Sequence, residues 1–251
     1  MKNQVVLITG ALTGIGRASA FAFAKRGACV VVSGRRDEVG QALAFELQEL
    51  GAEAAYIRAD IRNEEEIKSL VAKTVSRFGR LDVAVNNAAT EGQIGPITAQ
   101  TAGSIAATFD TNVVGVLLSM KHEILTMQAN SGPSKGNIIN ISSTYGHKGA
   151  AFASVYVAAK HAVEGISKSA ALELASEGIR VNCVSPGPTD TGMLTRFTGT
   201  DDNKARLVEG VPLGRLGLSE EVADGIVFIA SDEARFVTGH SLNVDGGHSA
   251  V

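Results

Sequence analysis

Short, almost wholly apolar runs rich in β-branched residues recur along the chain at Val5–Thr9, Cys29–Ser33, Ala54–Arg58, Leu81–Val85, Asn137–Ile141, Arg180–Val184 and Ser241–Val244. Between them lie longer stretches with apolar positions three and four apart: Ile15–Arg26, Asp37–Leu50, Glu64–Phe78, Gly103–Ala129, Ser154–Glu177 and Ser219–Ser231. The runs predict strands buried on both faces, and the stretches predict amphipathic helices. Their alternation predicts right-handed βαβ units, hence an α/β fold with about seven parallel strands and helices on both faces. No repeat, low-complexity tract or linker divides residues 1–251, so a single domain is expected. The least regular part, Pro186–Pro212, is rich in Gly, Thr and Asp and reads as a loop insertion that closes over a site.

Composition adds exclusions. A chain of 251 residues is long enough for one large core. A net charge of −3 gives no reason to expect a nucleic-acid partner. No apolar run approaches the roughly 18 residues that span a membrane. Val5–Ile8 is too brief for a signal-peptide core, so a cytoplasmic location with no membrane partner is the default expectation. Cys29 and Cys183 sit in apolar runs and read as reduced core residues, and no Cys/His cluster has zinc spacing.

The sharpest cofactor signal is Thr9-Gly10-Ala11-Leu12-Thr13-Gly14-Ile15-Gly16, directly after the first strand and opening the first helix. Glycines there let the backbone turn tightly and approach a pyrophosphate, which the helix N-terminus then holds. The second strand ends in Ser33-Gly34-Arg35-Arg36, with no acid at its tip. A carboxylate there would bind a ribose diol, whereas two arginines can pair with a 2′-phosphate. NADP(H) is favoured and NAD(H) remains the alternative, in which Arg35 and Arg36 are solvated charges and Asp37 caps the following helix. Asp60, after the third strand, is placed to accept a hydrogen bond from an adenine amino group.

Of the three tyrosines, only Tyr156 has a lysine four residues on, Lys160. On a helix the two side chains share a face. A free phenol has a pKa of about 10, and a nearby cation favours the phenolate, so Lys160 is expected to lower Tyr156 toward the working range. Taken alone, the pair is equally a solvated helical couple. Ser143 stands a loop upstream; Ser142 beside it faces the other way on an extended strand. Asn112 lies inside a long helix, either as an ordinary polar residue or as one that opens the helix to water.

The ordered set Thr9-Gly10-x-x-x-Gly14-x-Gly16, Asp60, Asn86-Asn87-Ala88-Ala89, Asn112, Ser143, Tyr156-x-x-x-Lys160, Pro186-Gly187 with Thr191, and Val244-Asp245-Gly246-Gly247 closely resembles the short-chain dehydrogenase/reductase family, in its compact branch. Ala89 replaces the glycine usual in the family's Asn-Asn-Ala-Gly turn. The resemblance implies a three-layer Rossmann-type doubly wound sheet and hydride transfer between a nicotinamide cofactor and a carbonyl or secondary alcohol. It implies Tyr156 as proton donor or acceptor, Lys160 on the nicotinamide ribose, Ser143 on the substrate oxygen, and Asn112 anchoring a relay water. The cofactor-binding residues so implied are Gly10, Thr13, Gly14, Ile15, Gly16, Arg35, Arg36, Asp60, Ile61, Asn87, Ala88, Tyr156, Lys160, Pro186, Gly187, Thr189 and Thr191, with no metal. It also implies a homotetramer or dimer, with the Gly103–Ala129 and Ser154–Glu177 helices pairing across one interface.

Thr144, Tyr145, His147, Ala150, Phe152 and Thr189–Val211 are candidates for the substrate pocket. His147, like His122, His161, His240 and His248, reads as a wall or surface residue. Two rivals stand beside a carbonyl reductase: an NAD-dependent alcohol dehydrogenase, and a non-catalytic nucleotide sensor on the same fold. The intact Asn112, Ser143, Tyr156 and Lys160 set argues against the sensor.

Overall fold

Every residue of β1 (Val5–Thr9) is buried, because one alternate set of side chains meets one helical layer and the other set meets the second. Val6 and Ile8 join Val30, Val32, Val85 and Ile139 in a core closed by Phe23, Leu43 and Ile226. Leu7 points the opposite way and joins Val31, Ala84, Ile138 and Val181 under Leu70, Met120 and Val163. The computed structural model describes residues 1–251.

All seven strands are parallel: β2 (Cys29–Gly34), β3 (Ala54–Arg58), β4 (Val83–Asn86), β5 (Gly136–Ile141), β6 (Ile179–Pro186) and β7 (Ser241–Val244) join β1 in the order β3-β2-β1-β4-β5-β6-β7. The order reverses between β1 and β4, which opens a crevice at the C-terminal edge of the sheet. β4 starts two residues later than its apolar run, because Asp82 turns its carboxylate to the Val5 amide at 2.9 Å and Leu81 is buried without pairing.

The helices α1 (Gly14–Lys25), α2 (Asp37–Glu49), α3 (Glu64–Phe78), α6 (Ser154–Leu174) and α9 (Ser219–Ala230) follow the apolar periodicity closely. Arg36, not Asp37, is the N-cap of α2; Asp37 instead accepts a hydrogen bond from the Tyr56 hydroxyl at 3.0 Å.

Two longer segments also depart from expectation. The long helix expected over Gly103–Ala129 is α4 (Ala102–Phe109), a π turn at Asp110–Val114, and α5 (Gly115–Gln128). The run Ala102–Gln128 also has the length and mean hydropathy (1.2) of a segment able to cross a membrane, by length and composition only, which a search for uninterrupted apolar runs passes over. Here its Val116, Met120 and Met127 pack into the core beneath the sheet. The second correction is Pro186–Pro212, which is not a plain loop: α7 (Gly192–Thr198) and α8 (Asp201–Glu209) form within it, each capped by a threonine. The Thr191 hydroxyl accepts from the Leu194 amide and the Thr200 hydroxyl from the Asn203 amide, both at 3.2 Å.

Candidate active site

A cleft of about 1120 Å³ runs along the C-terminal edge of the sheet, from the glycine turn before α1 to the inner face of α7. Two turns are laced together at its base. The Asn87 side-chain amide donates to the carbonyls of Thr9 (3.1 Å) and Gly10 (2.9 Å), while the Thr9 hydroxyl accepts from the amides of Asn87 and Ala88. Gly10 has φ +63°, and a Cβ there would lie 2.6 Å from the Ala88 Cα, so only glycine permits this crossing. Gly16 does not line the cleft; a Cβ on it would meet the Gly10 carbonyl and the Asn87 amide at 2.5 Å, so it seats α1 against the turn. The first amides of α1 have no acceptor inside the helix and Thr13 offers them none, which leaves donors for an anion at the cleft floor.

At one end the cleft is lined by Gly34, Arg35, Arg36, Asp60, Ile61 and Arg62. Arg62 is a residue that sequence reasoning missed. Its guanidinium grips the Asp60 carboxylate, Nε at 3.0 and 3.1 Å and Nη2 at 2.5 Å, while Arg35 stands 3.8 Å away. The Arg62 hydrogen bonds, against the opposing effect of burial, hold Asp60 down to about 2. Asp60, expected to accept from an adenine amino group, lines the cleft with its carboxylate held by arginines.

At the other end Ser143, at the tip of β5, Tyr156 and Lys160 come together in the wall. Lys160 is fully buried and donates to the Ile141 carbonyl at 2.7 Å; its ammonium lies 5.6 Å from the centre of the Tyr156 ring. Burial lowers Lys160 to about 8. Tyr156 moves the opposite way from the expected one: burial pushes it up to about 12, hydrogen bonding to Ser143 opposes the rise, and Glu91 and Tyr145 add to it. Lys160 is not among the groups that set this shift; its ammonium donates to the Ile141 carbonyl.

Asn112 is buried inside the π turn and does not line the cleft. Its amide pairs with the backbone of Thr90, accepting from the amide and donating to the carbonyl, both at 2.8 Å. It therefore fixes the segment after β4 to the helical layer. The turn is a single π turn, a rare departure from regular helix that is frequent at functional sites. Gly115 ends the turn against Ile61, where a Cβ would meet the Ile61 side chain and carbonyl at 2.9 Å.

Pro186, Gly187, Thr189 and Thr191 line the cleft as expected, and Thr191 does so while capping α7. Of the pocket candidates, Thr144 and Tyr145 line it with Met193, Leu194 and Phe197, whereas His147, Ala150 and Phe152 do not. His147 instead lies behind the site, within hydrogen-bonding distance of Ser185 (3.3 Å) and Ser241 (3.2 Å), and 3.4 Å from the buried Glu164. His248, buried, meets the Thr144 hydroxyl at 3.1 Å. Phe197 stacks on Tyr145 at 5.9 Å and meets Tyr156 edge-on at 6.0 Å, so α7 roofs the phenol with an aromatic wall. Glu91, also missed, and Arg196, within the expected Thr189–Val211 region, join across the mouth of the cleft at 2.5 Å. They are far apart in sequence, and no local pattern marks either.

Residues 10–249 match a family model described as enoyl-(acyl carrier protein) reductase. The chain is 38% identical over 252 residues to a 2,5-dichloro-2,5-cyclohexadiene-1,4-diol dehydrogenase of Sphingobium indicum, covering 100% of this chain and 99% of the other. It is 40% identical over 248 residues to a cyclohexanol dehydrogenase of an Acinetobacter species, covering 99% and 96% respectively. A crystal structure of actinorhodin polyketide ketoreductase with NADPH superposes with a TM-score of 0.94 at 35% identity, with 100% of both chains covered.

Proposed function

The chain belongs to the short-chain dehydrogenase/reductase family and is an NAD(P)-dependent oxidoreductase acting on alcohol or carbonyl groups, and we propose that it interconverts a small alicyclic ketone and its secondary alcohol with NADP(H). The observation that carries this reading is the meeting of Ser143, Tyr156 and Lys160 in the wall of one cleft whose far end carries Arg35 and Arg36. The residues present fit a dinucleotide: close-packed glycines at Gly10 and Gly16, free amides opening α1, and a cleft long enough to run from the arginines to the tyrosine.

When bound, the nicotinamide supplies or accepts the hydride. The chain's own residues handle position and proton. Tyr156, with its pKa raised to about 12, holds its proton on Oη at neutral pH and is ready to give it to a carbonyl oxygen. The Ser143 hydroxyl, beside that phenol, is placed to hydrogen-bond the same oxygen as charge develops on it. Lys160, fixed by Ile141, presents positive charge beneath the ring. Tyr145 and Phe197 supply a flat apolar wall suited to a carbocycle and exclude water from the phenol. Six-membered carbocyclic alcohols in the names of two relatives support the substrate class. The structure with NADPH, together with two arginines and no acid at the tip of β2, supports the cofactor.

The reading includes self-association as a homotetramer. Ile105, Val114, Leu117 and Leu125 on α4, the π turn and α5, with Leu172 on α6, leave apolar area open to solvent that a partner copy would cover. Analytical ultracentrifugation checks it, and a monomer at micromolar concentration would overturn it.

Initial rates with NADPH and NADH on cyclohexanone, cyclic diketones, ketoesters and quinones, and with the oxidised cofactors on cyclohexanol, test the whole. An NADPH-dependent rate on cyclic ketones is expected. A rate with NADH alone overturns the cofactor, and silence in both directions overturns the chemistry.

A further inference from the structure

Only two carboxylates line the cleft, Asp60 at the arginine end and Glu91 at the tyrosine end. Glu91 lies on the segment after β4, and Arg196 reaches it from α7 with Nε at 2.5 Å and Nη2 at 3.2 Å. The Glu91 side chain is 13% exposed and that of Arg196 61%, so the acid faces inward and the base caps it from outside. The other charged group in the wall beside the phenol is Lys160, whose ammonium is committed to Ile141. A guanidinium left unpaired beside an apolar wall would attract a substrate carboxylate by a bidentate, charge-assisted contact. Here Glu91 already holds the Nε–Nη2 edge of that guanidinium and neutralises its charge.

We infer that Glu91 is a specificity-determining residue that masks Arg196 and so restricts the cleft to uncharged substrates. A carboxylated ring would meet repulsion from Glu91 and find no free guanidinium. This inference rests on the reading of the cleft as a substrate site, but its test does not depend on turnover. Glu91→Gln keeps the shape, removes the negative charge and leaves Arg196 with an uncompensated positive one.

The test is calorimetric titration of cyclohexanecarboxylate into the wild type, E91Q and the double variant E91Q/R196Q, each with NADP⁺ present, after thermal melts confirm folding. In parallel, kcat/KM is compared for cyclohexanone and 4-oxocyclohexanecarboxylate with NADPH. E91Q is expected to bind the carboxylate about tenfold tighter or more than the wild type, as one charge-assisted contact supplies, and to raise the carboxylated-to-neutral kcat/KM ratio similarly. Adding R196Q is expected to remove the gain. Equal affinity in wild type and E91Q, or a gain that survives the loss of Arg196, overturns the inference. If neither ketone is turned over by the wild type, the proposed function fails while the calorimetry still decides the role of Glu91.

Discussion

Lys160 donates to the carbonyl of Ile141 at 2.7 Å, on the last residue of β5, and not to the phenol of Tyr156 one helical turn away. The bond locks the ammonium between strand and helix. Burial raises the phenol, Glu91 and Tyr145 add to the rise, and Ser143 opposes it.

Removing the phenol hydroxyl therefore tests proton transfer in isolation. Tyr156→Phe keeps the ring against Phe197 and should lower turnover by about 10²-fold or more, with cofactor affinity unchanged. Single-turnover kinetics beside a fluorescence titration of NADPH separate the two, and near-normal turnover removes Tyr156 from the chemistry.

Lys160 also makes stability depend on pH in a direction fixed by its environment. Its folded value is about 8 and its ordinary value 10.5, so between them the unfolded chain binds more protons. Its contribution to stability then rises with pH across that window. Urea unfolding of the wild type and Lys160→Met should show the wild type gaining on the variant from pH 8 to pH 10; parallel curves would contradict the buried charge.

Glu123 shows the opposite sign. It is enclosed between α5 and the sheet, accepts from the Asn86 amide at 3.0 Å, and is raised by burial from 4.5 to about 7. The folded state holds the extra proton between those values, so stability falls as pH rises from 4.5 to 7. Glu123→Gln retains an acceptor for Asn86 and removes this loss. The variant should gain on the wild type by on the order of 3 kcal/mol across that interval, measured by denaturant unfolding.

For the cofactor, Arg35→Ala with Arg36→Ala should weaken NADPH about tenfold or more and leave NADH little changed, as loss of charge-assisted contacts to one phosphate predicts. Installing an acid at Gly34 is a less clean test, because a Cβ there falls 2.7 Å from Leu12 Cδ1 and forces that buried side chain to move. Parallel losses for both cofactors would make the arginines general anion attractors.

What could be read without coordinates was whatever repeats locally. β1, β3 and β7 and helix α3 have the boundaries that the apolar pattern sets, since the ends of an apolar run are local features of the chain. The glycine turn and the Tyr156/Lys160 pair were equally plain, because each is a fixed short spacing. α7 and α8 were passed over because they cover a cleft and do not pack into a core; α8 buries no residue at all. Their threonine caps were the available signal. Glu91 with Arg196 and His147 with Glu164 could not be read, because tertiary approach creates each pair, whereas Asp60 and Arg62 lie two residues apart and their local pairing was passed over. The direction of the Tyr156 shift could not be read either, because spacing tells which groups are near but not how deeply a phenol is buried.

The five-residue turn at Asp110–Val114, closed by the Gly115 amide on the Asp110 carbonyl, sets a phase for everything after it. One residue more than a regular turn requires offsets the downstream helix by about 100° relative to the upstream one. Delete that residue and the helix becomes regular, yet Val116, Met120 and Glu123 rotate away from the sheet and Asn112 loses its register with Thr90. The irregularity works like a vernier, holding two helical scales in step with one flat sheet.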